Sequence, residues 1–179
     1  MAPLQLAGGL AGREHEPIGD HCPMDRTIQV IGSRPALLLL REAFYGARRF
    51  DDLARGVGIT DAVAAQRLKE LVAVGVLEKV PYREPGQRTR HEYVLTEAGH
   101  ELLPVVLGLL AWGDRHLPTS PSTVRLSHDG CGAAVAPALR CAAGHDVPEE
   151  EVVVRSSRRR GVSERGAARR RAPGPATGR

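Results

Sequence analysis

Four side chains between positions 62 and 69 recur at intervals of three and four residues. Ala62, Ala65, Gln66 and Lys69 therefore lie on one stripe of a predicted helix. A glutamine carboxamide can pair with the hydrogen-bonding edge of adenine, and a lysine ammonium group can contact guanine or a phosphate. The two alanines permit close approach, including contact with a thymine methyl group. This chemistry is typical of a helix that reads base pairs in a major groove.

A second group of polar residues surrounds a Pro-Gly pair, which predicts a turn. Arg83, Arg88, Arg90 and His91 are accompanied by only two glutamates, so this segment is positively charged. A basic turn can contact phosphates or enter an adjacent minor groove. The alternative is that both groups of residues form ordinary solvated surfaces.

Cys22 lies just before a predicted helix over residues 24–31. The positive end of a helix dipole favours a thiolate, the form of cysteine that reacts with oxidants and electrophiles. Asp20 and Asp25 oppose that effect. Cys22 is therefore either a redox-sensing candidate or an unreactive, partly buried cysteine.

Two histidines and two cysteines follow the pattern H-x2-C-x9-C-x3-H, at His128, Cys131, Cys141 and His145. Thiolate and imidazole are ligands that tetrahedral zinc prefers, although the spacing only approaches that of a zinc finger. The other interpretation is a short hairpin whose cysteines have no metal-binding role. We expect no cofactor, and zinc at these four residues is the alternative.

Hydrophobic periodicity and capping signals predict the elements that position these residues. Thr60 is a good helix N-cap, and Asp61 suits the positive end of a helix that continues to Val74. Ala64 and Leu68 lie on the apolar stripe of this helix, away from the polar one. The other predicted elements are helices over 24–31, 36–44 and 50–55, strands over 76–82 and 91–95, and a helix that begins after Thr96 and is kinked by Pro104.

The order of two helices, a glycine-containing turn, a third helix and a basic hairpin is that of a winged helix-turn-helix. We therefore predict a mainly α-helical fold with a small β-hairpin wing, in the α+β class. Such folds also serve as protein-interaction modules without sequence-specific DNA binding, which is the alternative function. The predicted DNA-binding residues are Thr60, Asp61, Ala62, Ala65, Gln66, Arg67, Lys69, Arg83, Arg88, Arg90 and His91.

The predicted helix after the hairpin is apolar on more than one side. Leu102, Val106, Leu109 and Trp112 are among the residues that cover it. A helix of this kind needs partners on two sides, and a second copy of the chain is the economical candidate. We therefore expect a homodimer.

The basic character of the chain comes mainly from its C-terminal end. Residues 155–179 contain nine arginines and one glutamate, so residues 1–154 carry a net charge of −4 within the total of +4. Charge alone therefore does not indicate that the body binds DNA. Three widely spaced cysteines and the lack of a long apolar run predict a cytoplasmic protein without membrane association. No nucleophile has a recognisable base beside it, so we expect no enzymatic activity.

Seven segments of the sequence match a known pattern, and they begin with Cys22-Pro23 and Val30-Ile31-Gly32. The others are Leu37 to Arg41-Glu42, Arg49-Phe50-Asp51-Asp52-Leu53, Gln66-Arg67-Leu68-Lys69-Glu70-Leu71, Gly75-Val76-Leu77 and Tyr93-Val94-Leu95-Thr96-Glu97-Ala98-Gly99. Together they resemble the HxlR-type regulators, a branch of the MarR-like bacterial winged helix-turn-helix proteins. The resemblance implies a homodimer formed by the N-terminal helix and the helix after the wing. In some of these proteins the cysteine that matches Cys22 senses oxidants or electrophiles.

We therefore predict a bacterial, homodimeric transcription repressor that binds a double-stranded DNA operator. Its effector is left open, with oxidants or electrophiles at Cys22 as the candidate switch. The predicted organisation is a flexible N-terminus at 1–21, the DNA-binding domain at 22–117, a small C-terminal extension at 118–154 that contains the Cys/His segment, and a disordered arginine-rich tail at 155–179.

Overall fold

The computed structural model describes residues 4–11, 22–117 and 124–156. The chain divides into two compact units. One unit comprises residues 17–138, and the other comprises residues 1–16 together with 139–179. The predicted extension at 118–154 is thus shared between the two units, and most of the predicted arginine-rich tail lies outside the described residues.

Four helices open the unit formed by residues 17–138, and side-chain caps mark the starts of the second and the fourth. They are α1 (Pro23–Ile31), α2 (Arg34–Phe44), α3 (Phe50–Val57) and α4 (Asp61–Ala73). The Ser33 side chain accepts a hydrogen bond from the Ala36 amide at 3.3 Å, and Thr60 accepts one from the Val63 amide at 3.5 Å. Such bonds satisfy amides that have no partner within the first helical turn.

The turn between α3 and α4 depends on Gly58, which ends α3 in the left-handed conformation with φ of +68°. Only glycine adopts this region without a steric cost, so the chain can reverse here within a few residues. α3 and α4 follow one another across this turn and pack together, as the two helices of a helix-turn-helix do.

A two-stranded antiparallel hairpin follows α4. It consists of β2 (Leu77–Tyr82) and β3 (Arg90–Leu95), with Lys79 paired to Tyr93 and Pro81 paired to His91. An isolated antiparallel bridge between Arg49 and Glu92 joins the segment before α3 to the second strand. This hairpin is the predicted wing.

The helix expected after the wing is two helices, which corrects the prediction of a single kinked one. α5 (Glu97–His100) and α6 (Leu103–His116) are separated by Glu101 and Leu102. Pro104 lies in the first turn of α6, where its missing amide costs no hydrogen bond, whereas a position farther inside a helix would lose one. The proline therefore marks a new start of the helix rather than a kink.

The core lies between α2, α3, α4 and the base of the wing. Its largest fully buried side chains are leucines, which agrees with the low aromatic content of the chain. The fully buried leucines are Leu39, Leu40, Leu53, Leu68, Leu71 and Leu77.

In the parts of the chain that the structure describes, no helix has the length and apolar character needed to cross a membrane.

The second unit contains a short parallel pair of strands that the sequence pattern did not predict. β1 (Gln5–Gly8) pairs with β4 (Val153–Ser156), which follows a 3-10 helix at Glu149–Glu151. The N-terminus, expected to be flexible, therefore includes a paired strand at residues 5–8. Residues 12–21 of the same predicted segment lie outside the described residues.

Candidate nucleic-acid interface

α4 presents one buried face and one exposed face. Ala64, Leu68 and Leu71 are buried in the core. The predicted base-reading residues lie on the other side of the helix, which is exposed. Thr60, Asp61, Ala62, Ala65, Gln66 and Lys69 are all exposed. The structure therefore brings these six predicted residues together on one accessible surface, which we call the α4 face.

Two predicted residues of this region are held by an acidic neighbour. The Gln66 side-chain amide donates to Oε1 of Glu70 at 2.7 Å, and the Arg67 guanidinium donates to Oε2 at 2.6 Å. These two hydrogen bonds hold the pKa of the Glu70 carboxyl below its usual range, and the bond from Gln66 has the larger effect. Arg67 is only half-exposed, so it lies at the border of the α4 face. To form a hydrogen bond with a base, the Gln66 amide would first have to break its hydrogen bond to Glu70.

The four predicted wing residues are all exposed, but they are not equivalent. Arg83 donates from Nε to the backbone oxygen of Gln87 at 3.1 Å, so it closes the turn of the wing. Arg88, Arg90 and His91 line a cleft of about 560 Å³ between the wing and the start of α3. These three residues are therefore better placed than Arg83 to meet a negatively charged partner.

Sequence reasoning missed several residues of this cleft. Arg49, Lys79, Tyr82 and Tyr93 also line it. The hairpin register places Lys79 and His91 on one face of the wing, because the pairs Lys79–Tyr93 and Pro81–His91 are two positions apart. Strand alternation could have found Lys79, whereas Arg49 precedes a helix and gives no periodic signal.

Charge in the cleft is mainly positive. The basic lining residues are Arg49, Arg55, Lys79, Arg88 and Arg90, and the acidic ones are Asp51 and Asp52. Asp52 is paired with Arg55 at 2.5 Å. The cleft thus concentrates cations within a body whose residues 1–154 are net negative. Burial raises the pKa of the Tyr93 phenol.

Cys22 is the N-cap residue of α1 and is half-buried. Its side chain makes no capping hydrogen bond, whereas its backbone oxygen accepts one from the Arg26 amide at 3.1 Å. The thiol is therefore not engaged in holding the helix end. The sensing role predicted for Cys22 remains a prediction.

The predicted metal ligands fall in both units of the chain. His128 and Cys131 belong to the unit of residues 17–138, where Nδ1 and Sγ are 3.2 Å apart. Cys141 and His145 belong to the other unit, where the Cys141 amide donates to the His145 backbone oxygen at 3.0 Å. Within the described ranges, no group of three or more histidine, cysteine, aspartate or glutamate residues is arranged to hold a metal ion. Zinc binding by these four residues remains a prediction.

A helix-turn-helix with an exposed second helix, followed by a hairpin with a basic cleft, defines a winged helix-turn-helix protein. The family model described as HxlR-like helix-turn-helix matches residues 30–121. The uncharacterized HTH-type transcriptional regulator Rv3095 of Mycobacterium tuberculosis strain H37Rv is 44% identical over 117 residues, covering 65% of this chain and 73% of that protein. The chain belongs to the HxlR-like helix-turn-helix family and is a transcriptional regulator of that class.

Solved structures agree with this assignment. The crystal structure of PA1607, described as a candidate transcription factor, has a TM-score of 0.66 and 31% sequence identity, and covers 76% of this chain and 95% of that chain. The redox regulator HypR in its oxidized form has a TM-score of 0.50 and 31% identity, and covers 55% of this chain and 100% of that chain.

Proposed function

We propose that this regulator binds a two-fold symmetric DNA operator as a homodimer and represses transcription from it. The exposed α4 face carries the proposal, because it presents small and hydrogen-bonding side chains next to a buried leucine stripe. In this arrangement Gln66 and Lys69 contact base edges, while Ala62 and Ala65 allow the helix to approach the groove floor. Thr60 and Asp61 lie at the start of α4, close to the backbone of the DNA.

The wing supplies the contacts that do not depend on sequence. Arg88, Arg90 and His91 line the cleft between the wing and the start of α3, and Lys79 lies on the same face as His91. Phosphate contacts of this kind set affinity and salt dependence rather than base preference. The two surfaces therefore predict different effects when they are mutated.

Dimerisation is proposed through α1 and α6. Leu109 is 52% exposed and Trp112 is 58% exposed, although both are large apolar side chains on one side of α6. On α1, Met24 is 70% exposed and Ile28 is 52% exposed. A second copy that covers these side chains removes apolar surface from water and gives the two-fold axis that a symmetric operator requires.

Cys22 is the proposed redox switch of the dimer. It lies directly before α1, so a modification of its thiol changes the packing at the start of a proposed dimer helix. The redox regulator HypR shares this fold at 31% identity, which supports control by oxidants. An oxidant would convert the thiolate to a sulfenic acid, and DNA affinity would change with the dimer geometry.

Genomic selection of bound DNA fragments by the purified full chain tests the function. We expect enrichment of fragments that share a two-fold symmetric site. Gln66→Ala should relax base preference at one position of each half-site and cost about 1–3 kcal/mol on the preferred site. Arg88→Ala should weaken binding to all sequences similarly and lower the salt dependence. If no fragment is enriched, the proposed function is overturned, and the alternative of a protein-interaction module without sequence-specific DNA binding is favoured.

The Cys22 switch has its own test. Cys131→Ser/Cys141→Ser leaves Cys22 as the only cysteine, and hydrogen peroxide should change the operator affinity of this variant. The same treatment should leave the operator affinity of Cys22→Ser unchanged. Without treatment, this variant should bind the operator like the wild type. A response that persists in Cys22→Ser would assign the switch to another residue.

A further inference from the structure

One carboxylate in the turn of the wing is held from two sides. Oε1 of Glu84 accepts from Nη2 of Arg49 at 2.7 Å, and Oε2 accepts from the Gln87 side-chain amide at 3.2 Å. The backbone of the same turn closes through a bond from the Gln87 amide to the Glu84 backbone oxygen at 3.0 Å. Glu84 thus connects the turn of the wing to a residue 35 positions earlier in the chain.

The backbone of Arg49 is anchored to the helical body and to the middle of the wing, where Glu92 pairs with Val80. Arg49 is the N-cap residue of α3, and its backbone forms the bridge with Glu92 on β3. Its guanidinium carbon lies 5.1 Å from the centroid of the Tyr82 ring at the end of β2. The hydrogen bond to Glu84 is the main cause of a raised pKa for the Arg49 guanidinium.

We propose that the Arg49–Glu84 pair fixes the angle of the wing relative to α3 and α4, and that Arg49 is a positioning residue for DNA binding. This inference rests on the proposed function. A winged helix-turn-helix protein must place its wing cations and its recognition helix on the same duplex at once. The separation between the wing and the recognition helix must therefore match the DNA. The pair connects the two parts that have to keep this separation.

The competing role for Arg49 is a direct phosphate contact, since it lines the basic cleft together with Arg88 and Arg90. The two roles predict opposite signs for Glu84. If Arg49 contacts phosphate, Glu84 competes with the DNA and its neutralisation strengthens binding. If Arg49 positions the wing, neutralising Glu84 weakens binding, although removing a negative charge near DNA otherwise favours it.

The test measures operator affinity for the full chain with Arg49→Gln, Glu84→Gln and the double variant. Each single change should weaken binding about two- to fivefold, the scale expected for an exposed ion pair. The double variant should be no weaker than either single one, because both remove the same interaction. The exchanged pair Arg49→Glu/Glu84→Arg should recover part of the loss, which a general loss of stability would not allow.

Glu78→Gln is the matched control, because Glu78 is an exposed carboxylate on β2 outside the pair. It should leave affinity unchanged or raise it slightly. Tighter binding by Glu84→Gln, or unchanged binding by both single variants, would overturn the positioning role.

A measurement without DNA separates this inference from the proposed function. Residual dipolar couplings of wing amides report the angle between the hairpin and the helices. In Arg49→Gln and Glu84→Gln these couplings should no longer fit the orientation of the wild-type wing, while those within the helices still fit. Unchanged wing couplings would overturn the inference even if the chain binds an operator. If genomic selection finds no operator, the proposed function on which the inference rests is overturned.

Discussion

Gly99 lies directly against the backbone oxygen of Val76. A Cβ atom added at Gly99 would be 2.2 Å from that oxygen. Thr96 supports the same contact, since its hydroxyl donates to the Gly75 backbone oxygen at 2.5 Å and accepts from the Gly99 amide at 3.1 Å. The start of the wing and the start of α5 are therefore joined through a backbone approach that only glycine permits.

We expect Gly99→Ala to destabilise the fold by about 1–3 kcal/mol, the usual cost of forcing an extra carbon into a packed site. The free energy of unfolding in urea measures this effect. Gly108→Ala is the matched control, because a Cβ there meets nothing within 4 Å and a helical alanine is favoured over glycine. Equal stability of the two variants would contradict the close approach.

Neighbouring residues of α4 should separate stability from DNA binding. Leu68 is fully buried, so Leu68→Ala should cost about 2–5 kcal/mol of stability. Lys69 is exposed, so Lys69→Ala should leave stability nearly unchanged and weaken operator binding. Urea unfolding and operator titration, measured on both variants, check this division. A Lys69→Ala protein that binds like the wild type would remove Lys69 from the interface.

The Glu70 carboxyl should show a pKa below its usual range in an NMR titration of the folded chain, because Gln66 and Arg67 stabilise its charged form. Gln66→Ala should raise this pKa, whereas Lys69→Ala should not. Since the folded-state pKa is lowered, the stabilising contribution is present above the ordinary pKa of glutamate and is lost as pH falls through the folded value. An unchanged pKa in Gln66→Ala would contradict the hydrogen bond.

The apolar side of α6 should control the oligomeric state. Leu109→Glu places a charge on a proposed dimer surface, so we expect a monomer in analytical ultracentrifugation and weaker binding to a two-fold symmetric operator. Asp114→Asn, on the same helix, changes a charge without adding one to the apolar side and should remain dimeric. A dimeric Leu109→Glu protein would exclude this surface as the interface.

Elements with local causes were predictable from the sequence. Thr60 as N-cap and the buried stripe through Leu68 depend on neighbours within a few residues, and the structure has them where the pattern indicated. The helix predicted over 50–55 continues to Val57, so the glycine-containing turn begins later than the pattern indicated. The Gln66–Glu70 contact also follows helical spacing of four residues. The break between α5 and α6 was not predicted, because the sequence pattern does not show whether Pro104 lies inside a helix or in its first turn.

The sequence by itself determined the order of the helices and the wing, and the polar stripe at Gln66 and Lys69. These depend on periodicity and capping, which act over a single turn or strand. Tertiary structure alone decided that Arg49 meets Glu84 and that Gln5 pairs with Val153. Contacts between distant segments depend on how whole elements pack, and no local pattern records that geometry.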